Sequence, residues 1–276
     1  MSRKVSRRSV VLGGAVALAG LAGVGASSER ARRALPWRSD PVVDSSVGVP
    51  AAAEGQVRLE SVRSLARGRE VGLWSAVPAG LGDGRGLPVC LVLHGASATT
   101  ADFSRFGLGR FLTAAVQAGA PPFVLVGADG GRSLWLGDGP GSADDPQRML
   151  AEELPRWCAE RGFDSARIGS YGWSMGGFGA LRAAQLRPGG WRAVAALSPA
   201  VADGDAVLAD ADRLDPAATA LWCGERDTFF PVVQRLAAAM PQPPAVNGHA
   251  PAGHTRVYWN SVTPDAFAFV GRRLSA

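Results

Sequence analysis

The chain has 276 residues, 47% of them hydrophobic and 19% charged; that is enough apolar material for a buried core and excludes a disordered chain. The formal net charge of +5 is misleading, because four of the 29 basic residues (Arg3, Lys4, Arg7, Arg8) stand at the extreme N-terminus and the rest nearly balance 24 acidic residues. With no basic patch interleaved with aromatics, this balance excludes a nucleic-acid-binding class.

Residues 1–26 have a basic start and an uncharged apolar run from Val10 to Ala26, the layout of a signal peptide. Arg7-Arg8 followed by Ser9, Val10, Val11 and Leu12 resembles the twin-arginine export signal. The run is at the lower length limit for a membrane span. A cleaved export signal is favoured, with a retained anchor to the membrane or cell envelope as the alternative. Residues 27–55 are rich in Ser, Pro, Ala and charge without periodicity, and are expected to form a linker or loosely packed lead-in.

From residue 56 to 276 the chain alternates strand and helix patterns. "QVRLESVRSL" and "EVGLWSAV" read as an antiparallel pair. "LPVCLVLHG" is a continuous apolar run, as in a strand buried on both faces. "DFSRFGLGRFLTAAVQAG" carries helical spacing and stops at Gly119. "PPFVLVGADGG" is a further strand, and "DPQRMLAEELPRWCAERG" a helix with Pro146 near its start and Gly162 at its end. "ARIGSYGWS" is a strand followed by the helix "GGFGALRAAQLRPGG". "WRAVAALSPAV" and "ATALWCGERD" are strands, "FFPVVQRLAAAM" is a helix, and a short strand is expected in "PPAVNGHAP". The last helix is expected from Pro264 to Leu274, with Thr263 as N-cap and Pro264 at its first position. The order implies a mostly parallel sheet with helices on both faces, and reactive residues in loops at the carboxyl ends of the strands.

Ser174 lies in G-W-S-M-G, a pattern that a chain with 36 glycines can produce by chance. Its context makes it informative: a buried strand precedes it and a helix begins near Gly176, the strand–turn–helix that holds an exposed nucleophile. A serine hydroxyl needs a general base. The histidines are His94, His249 and His254. In the order nucleophile, acid, histidine, the base comes from the late pair, and His254, just before the terminal helix, is preferred over His249. Asp227 is preferred over Glu225 as the acid that would orient the histidine. Donors for an oxyanion are expected from the backbone N–H groups of Met175 and of Ala96 in "HGAS". His94 is then expected to shape that loop.

"LVLHGAS", "GADGG" with Trp135 beyond it, "MLAEELPRW", "YGWSMGGFGALRAA", "CGERDTFF" and "GHTRVYWNSVTPDAFAFV" carry a resemblance to a family. The chain resembles the α/β-hydrolases, and within them the putative esterase family that includes esterase D and the secreted mycolyltransferases of actinobacteria. The resemblance implies an α/β-hydrolase fold. It also implies acyl transfer through an acyl-enzyme without a cofactor, with Ser174, Asp227 and His254 as triad and Ala96 and Met175 as oxyanion donors. The expected activity is an exported serine esterase acting on a small or medium carboxylic ester. Acyl transfer to a cell-envelope hydroxyl is the alternative, and a non-catalytic binding scaffold the reading from another class. Val201 to Pro216 is too short for a large lid.

Cys90, Cys158 and Cys223 lack metal-ligand spacing and read as small core residues. Asp138, Asp144 and Asp145 do not match a calcium loop and read as a solvated loop. Trp135, Trp157, Trp173, Trp191 and Trp259 read as core or rim packing, and of the five Trp135 and Trp173 are the best candidates to line a pocket.

Overall fold

The computed structural model describes residues 46–137 and 142–276. The expected signal segment, most of the lead-in and Asp138 lie outside the described residues.

Eight strands form one sheet: β1 (Val57–Ser64), β2 (Arg69–Ala76), β3 (Pro88–Leu93), β4 (Val124–Ala128), β5 (Asp164–Trp173), β6 (Ala193–Leu197), β7 (Thr219–Gly224) and β8 (Val246–Ala250). Their order is β1-β2-β4-β3-β5-β6-β7-β8. β1–β2 and β2–β4 pair antiparallel, and every other neighbour pairs parallel. The central strands are apolar at nearly every position because both faces are covered. Alternate residues then feed two separate cores. In β3, Val89, Leu91 and Leu93 enter one core, while Cys90 and Val92 enter the other.

Helices α1 (Leu108–Gln117) and α6 (Arg256–Ser275) cover the face carrying Tyr171 and Trp173. The opposite face packs against α2 (a run from Pro146 to Glu160), α3 (Met175–Leu186) and α5 (Phe230–Ala239). Between β6 and β7 the chain makes only the short α4 (Ala206–Ala209) and one 3-10 turn. Among the described residues there is no large lid.

Three helices depart from expectation. The helix expected from Asp102 begins only at Leu108. Asp102 folds back to accept the Thr99 amide at 2.9 Å, and Gly107 turns left-handed at φ 70°. The run expected over 145–162 contains a π turn, Met149–Glu153. Pro155 explains it, since proline has no N–H to donate to the carbonyl one turn back and a wider turn absorbs the missing bond. The terminal helix starts at Arg256, not Pro264. Thr255 is its N-cap, its hydroxyl accepting from the Tyr258 amide at 3.3 Å, and Pro264 sits inside the helix. Burial of Tyr258, Trp259, Phe267 and Val270 along one continuous helix outweighs the bond that Pro264 removes.

The described part of the lead-in is fastened to the domain rather than loose. Asn260 Nδ2 donates to the Val47 carbonyl at 2.8 Å and Arg110 Nε to the Ala52 carbonyl at 3.2 Å.

Candidate active site

β5 delivers Ser174 at its carboxyl end, and the turn into α3 is tight enough to force strain. Ser174 has φ 56° and ψ −121°, a region that L-residues rarely occupy. Three backbone hydrogen bonds hold it there. Its amide donates to Leu197 O at 2.9 Å, and its carbonyl accepts from Phe178 and Ala200 at 3.1 and 3.0 Å. The flanking glycines are steric requirements. A Cβ on Gly172 would stand 2.4 Å from Gly176 O, and one on Gly176 would stand 1.9 Å from Leu93 O.

His254 comes from the loop between β8 and α6. That loop is fixed to the turn after β7 by the Glu225 amide on Ala250 O (2.8 Å) and the Arg226 amide on Ala252 O (2.9 Å). His254 Nδ1 lies 2.8 Å from Asp227 Oδ2, and its Nε2 lies 2.9 Å from Ser174 Oγ. A carboxylate only accepts, so Nδ1 carries the proton and Nε2 is left to accept from the serine hydroxyl. The imidazole is gripped edge-to-face by Trp259, at 4.9 Å between centroids, and by Phe229 at 5.3 Å.

The Asp227 carboxylate is fully buried. Burial opposes its charge. The hydrogen bond and charge of His254 and the Phe229 amide at 3.0 Å outweigh that penalty and hold its pKa below the ordinary carboxylate value. The other late pair lies apart. His249 Nδ1 binds Glu225 Oε1 at 2.8 Å with both side chains exposed, and neither residue is brought to Ser174.

His94 is buried, and its contacts join two loops. Nε2 accepts from the Gly130 amide at 2.9 Å, which leaves Nδ1–H to donate to Gly95 O at 2.8 Å. Burial pushes its pKa down, so the ring is neutral, which suits both bonds. Asp129, which sequence reasoning passed over, completes this brace. Its carboxylate accepts from the Thr100 amide (2.8 Å), the Thr100 hydroxyl (2.9 Å) and the Gly72 amide (3.1 Å). Its place just past the carboxyl end of β4 was the available signal.

The loop so braced carries Ala96. Among the described residues, neither the Ala96 nor the Met175 amide has a protein acceptor. For Met175 this follows from its place at the start of α3, where helical N–H groups have no partner one turn back. Beside Ala96 opens a groove of about 310 Å³, lined also by Ser97, Thr99, Val71, Arg69 and Arg132.

The two tryptophans named as the best candidates to line a pocket take the core position instead. Trp135 is fully buried, its indole donating to His94 O at 3.1 Å, and Trp173 is 2% exposed beneath Phe103 and Phe106. Each is large enough that the core claims it first. Of the loop aspartates, Asp144 binds the buried Arg67 as well as Arg69, and Asp145 caps α2 by accepting the Arg148 amide at 2.9 Å. Both are committed to structure rather than merely solvated. Cys90, Cys158 and Cys223 are free and buried.

A strained serine at a strand-to-helix elbow, bonded through an imidazole to a buried carboxylate on a mostly parallel sheet, defines a serine hydrolase of the α/β-hydrolase fold. The family model described as "Putative esterase" matches residues 64–235, and the chain belongs to that family. It is accordingly a serine hydrolase of carboxylic esters. Among curated proteins none matches. Solved structures share the fold at low identity. A ferulic acid esterase superposes with a TM-score of 0.66 at 19% identity, covering 79% of this chain and 98% of its own. An S-formylglutathione hydrolase from Agrobacterium tumefaciens gives 0.65 at 20% identity, covering 82% and 98%. The fluorophosphonate-binding serine hydrolase F of Staphylococcus aureus gives 0.63 at 15% identity, covering 79% and 99%.

Proposed function

We propose that the protein is an exported esterase that cleaves a small or medium carboxylic ester through an acyl-enzyme on Ser174. The observation that carries this reading is the pair of hydrogen bonds at 2.9 and 2.8 Å linking Ser174 Oγ, His254 and the buried Asp227. Ser174 Oγ attacks the ester carbonyl carbon while His254 Nε2 takes the hydroxyl proton. Asp227 holds the Nδ1–H tautomer and stabilises the imidazolium. The Ala96 and Met175 amides donate to the tetrahedral oxyanion. Collapse of that intermediate expels the alcohol, which receives the proton from His254. Water, deprotonated by the same imidazole, then releases the acid.

The groove beside Ala96, about 310 Å³, and the short β6–β7 connection suit a small or medium ester. Arg7-Arg8 and the apolar run after them support export.

Ser174→Ala is expected to abolish hydrolysis of p-nitrophenyl butyrate and labelling by a fluorophosphonate. Retention of both in the variant refutes the nucleophile. The same label followed through cell fractions should report the enzyme outside the cytoplasm, and a label confined to the cytoplasm refutes export.

A further inference from the structure

Arg256 breaks a local rule. It occupies the first position of α6, where the positive end of the helix dipole disfavours a cation. A residue that opposes its local environment is retained for something else. Its guanidinium lies over three rings, 3.9 Å from the centroid of Phe106, 4.4 Å from Trp173 and 5.0 Å from Trp259.

Two of those rings lead directly to the reacting pair. Trp173 is the last residue of β5 and is bonded through the chain to Ser174. Trp259 stands edge-on to the His254 imidazole, at 4.9 Å and 89°. The rings belong to separate elements: Phe106 precedes α1, Trp173 ends β5 and Trp259 lies one turn into α6. A flat cation attracts all three faces at once, which no aliphatic side chain of the same length does.

We infer that Arg256 is a positioning residue for the Ser174–His254 pair: its guanidinium clamps Trp173 to Trp259 and so fixes the separation of hydroxyl and imidazole. This rests on the assignment of Ser174 and His254 above. The guanidinium acts through its rings and takes no proton. None of the three rings lines the groove beside Ala96, so loosening the clamp is expected to lower turnover more than substrate affinity.

The test uses the full chain with Arg256→Met and Arg256→Lys. Met keeps the stem and its packing but loses the cation, and Lys keeps the charge without the plane. Turnover of p-nitrophenyl butyrate is measured per serine titrated by fluorophosphonate, so unfolded protein is not counted, and tryptophan emission reports the rings. For Met, kcat is expected to fall roughly tenfold, the scale of a desolvated cation–π contact. KM should stay within about twofold, the emission should change, and Lys should recover part of the loss. A Met variant with wild-type kcat per titrated site overturns the inference. If the Met variant does not fold, Lys decides. A fall of about threefold or more per site at unchanged Tm supports the clamp, and unchanged kcat overturns it. Failure of the underlying assignment looks different, because the wild-type protein would then neither turn over the ester nor take the label.

Discussion

Gly176→Ala is the sharpest test of the elbow, because the structure states what the added methyl meets. The new Cβ would lie 1.9 Å from Leu93 O and 2.8 Å from His94 O, both backbone atoms at the end of β3. Contacts that close do not survive, and no side chain can swing aside, so α3 and β3 must separate by about 1 Å. Overpacking of this kind costs roughly 1–3 kcal/mol. The functional cost is larger, since the two backbones that move are those carrying Ser174 and Ala96. A misplacement of about 1 Å at a reacting centre costs on the order of 10²-fold in rate. Gly177→Ala is the comparison. Its Cβ would stand 3.0 Å from Pro199 Cα, a contact that a few tenths of an ångström relieve. The assays are kcat/KM on p-nitrophenyl butyrate and the urea midpoint. Gly176→Ala retaining activity within twofold, or losing no more than Gly177→Ala, refutes the steric account.

Asp227→Asn replaces an acceptor by an amide that can donate to Nδ1, favouring the wrong tautomer, and kcat should fall about 10³–10⁴-fold; steady-state kinetics showing less than tenfold loss would contradict the assigned role. His94 gives a pH signature in stability. Its folded pKa is lowered, so below pH about 6.5 the unfolded chain binds a proton that the native state refuses. The stability that His94 contributes is therefore full above that pH and is lost on acidification towards the folded pKa, at up to about 1.4 kcal/mol per pH unit. His94→Gln should flatten the fall in Tm below pH 6.5, and an unchanged slope would show that other groups cause it.

The sheet was legible because its central strands are unbroken apolar runs bounded by glycine and proline, as in "LPVCLVLHG", and runs buried on both faces look alike in sequence and structure. The partnership of Ser174, Asp227 and His254 was legible from chain order, which puts each residue in a loop after a strand. The geometry between them was not: His249 falls within β8 with its side chain exposed, and His254 lies in the loop beyond, which the Glu225 and Arg226 amides fix against the turn after β7. The helix starts were misread where local chemistry is ambiguous. Pro264 fits a first helical position by propensity, yet the aromatic residues before it need α6 to begin at Arg256. An aromatic beside an elbow can face a cavity or the core, and packing puts Trp135 and Trp173 in the core.

The hydrogen bond from Ser174 to His254 joins residues 80 positions apart. Closing a flexible chain over that span costs about 4 kcal/mol of entropy, and one neutral hydrogen bond returns about 1 kcal/mol. The contact therefore cannot draw its own partners together. It exists because β6, β7 and β8 have already been laid down between them in parallel pairing, the slowest kind of contact to nucleate. Reactivity at Ser174 thus reports completed topology: a chain that has paired its strands through β6, whose Leu197 holds the serine amide, but not β7 and β8, holds a strained serine with no base beside it.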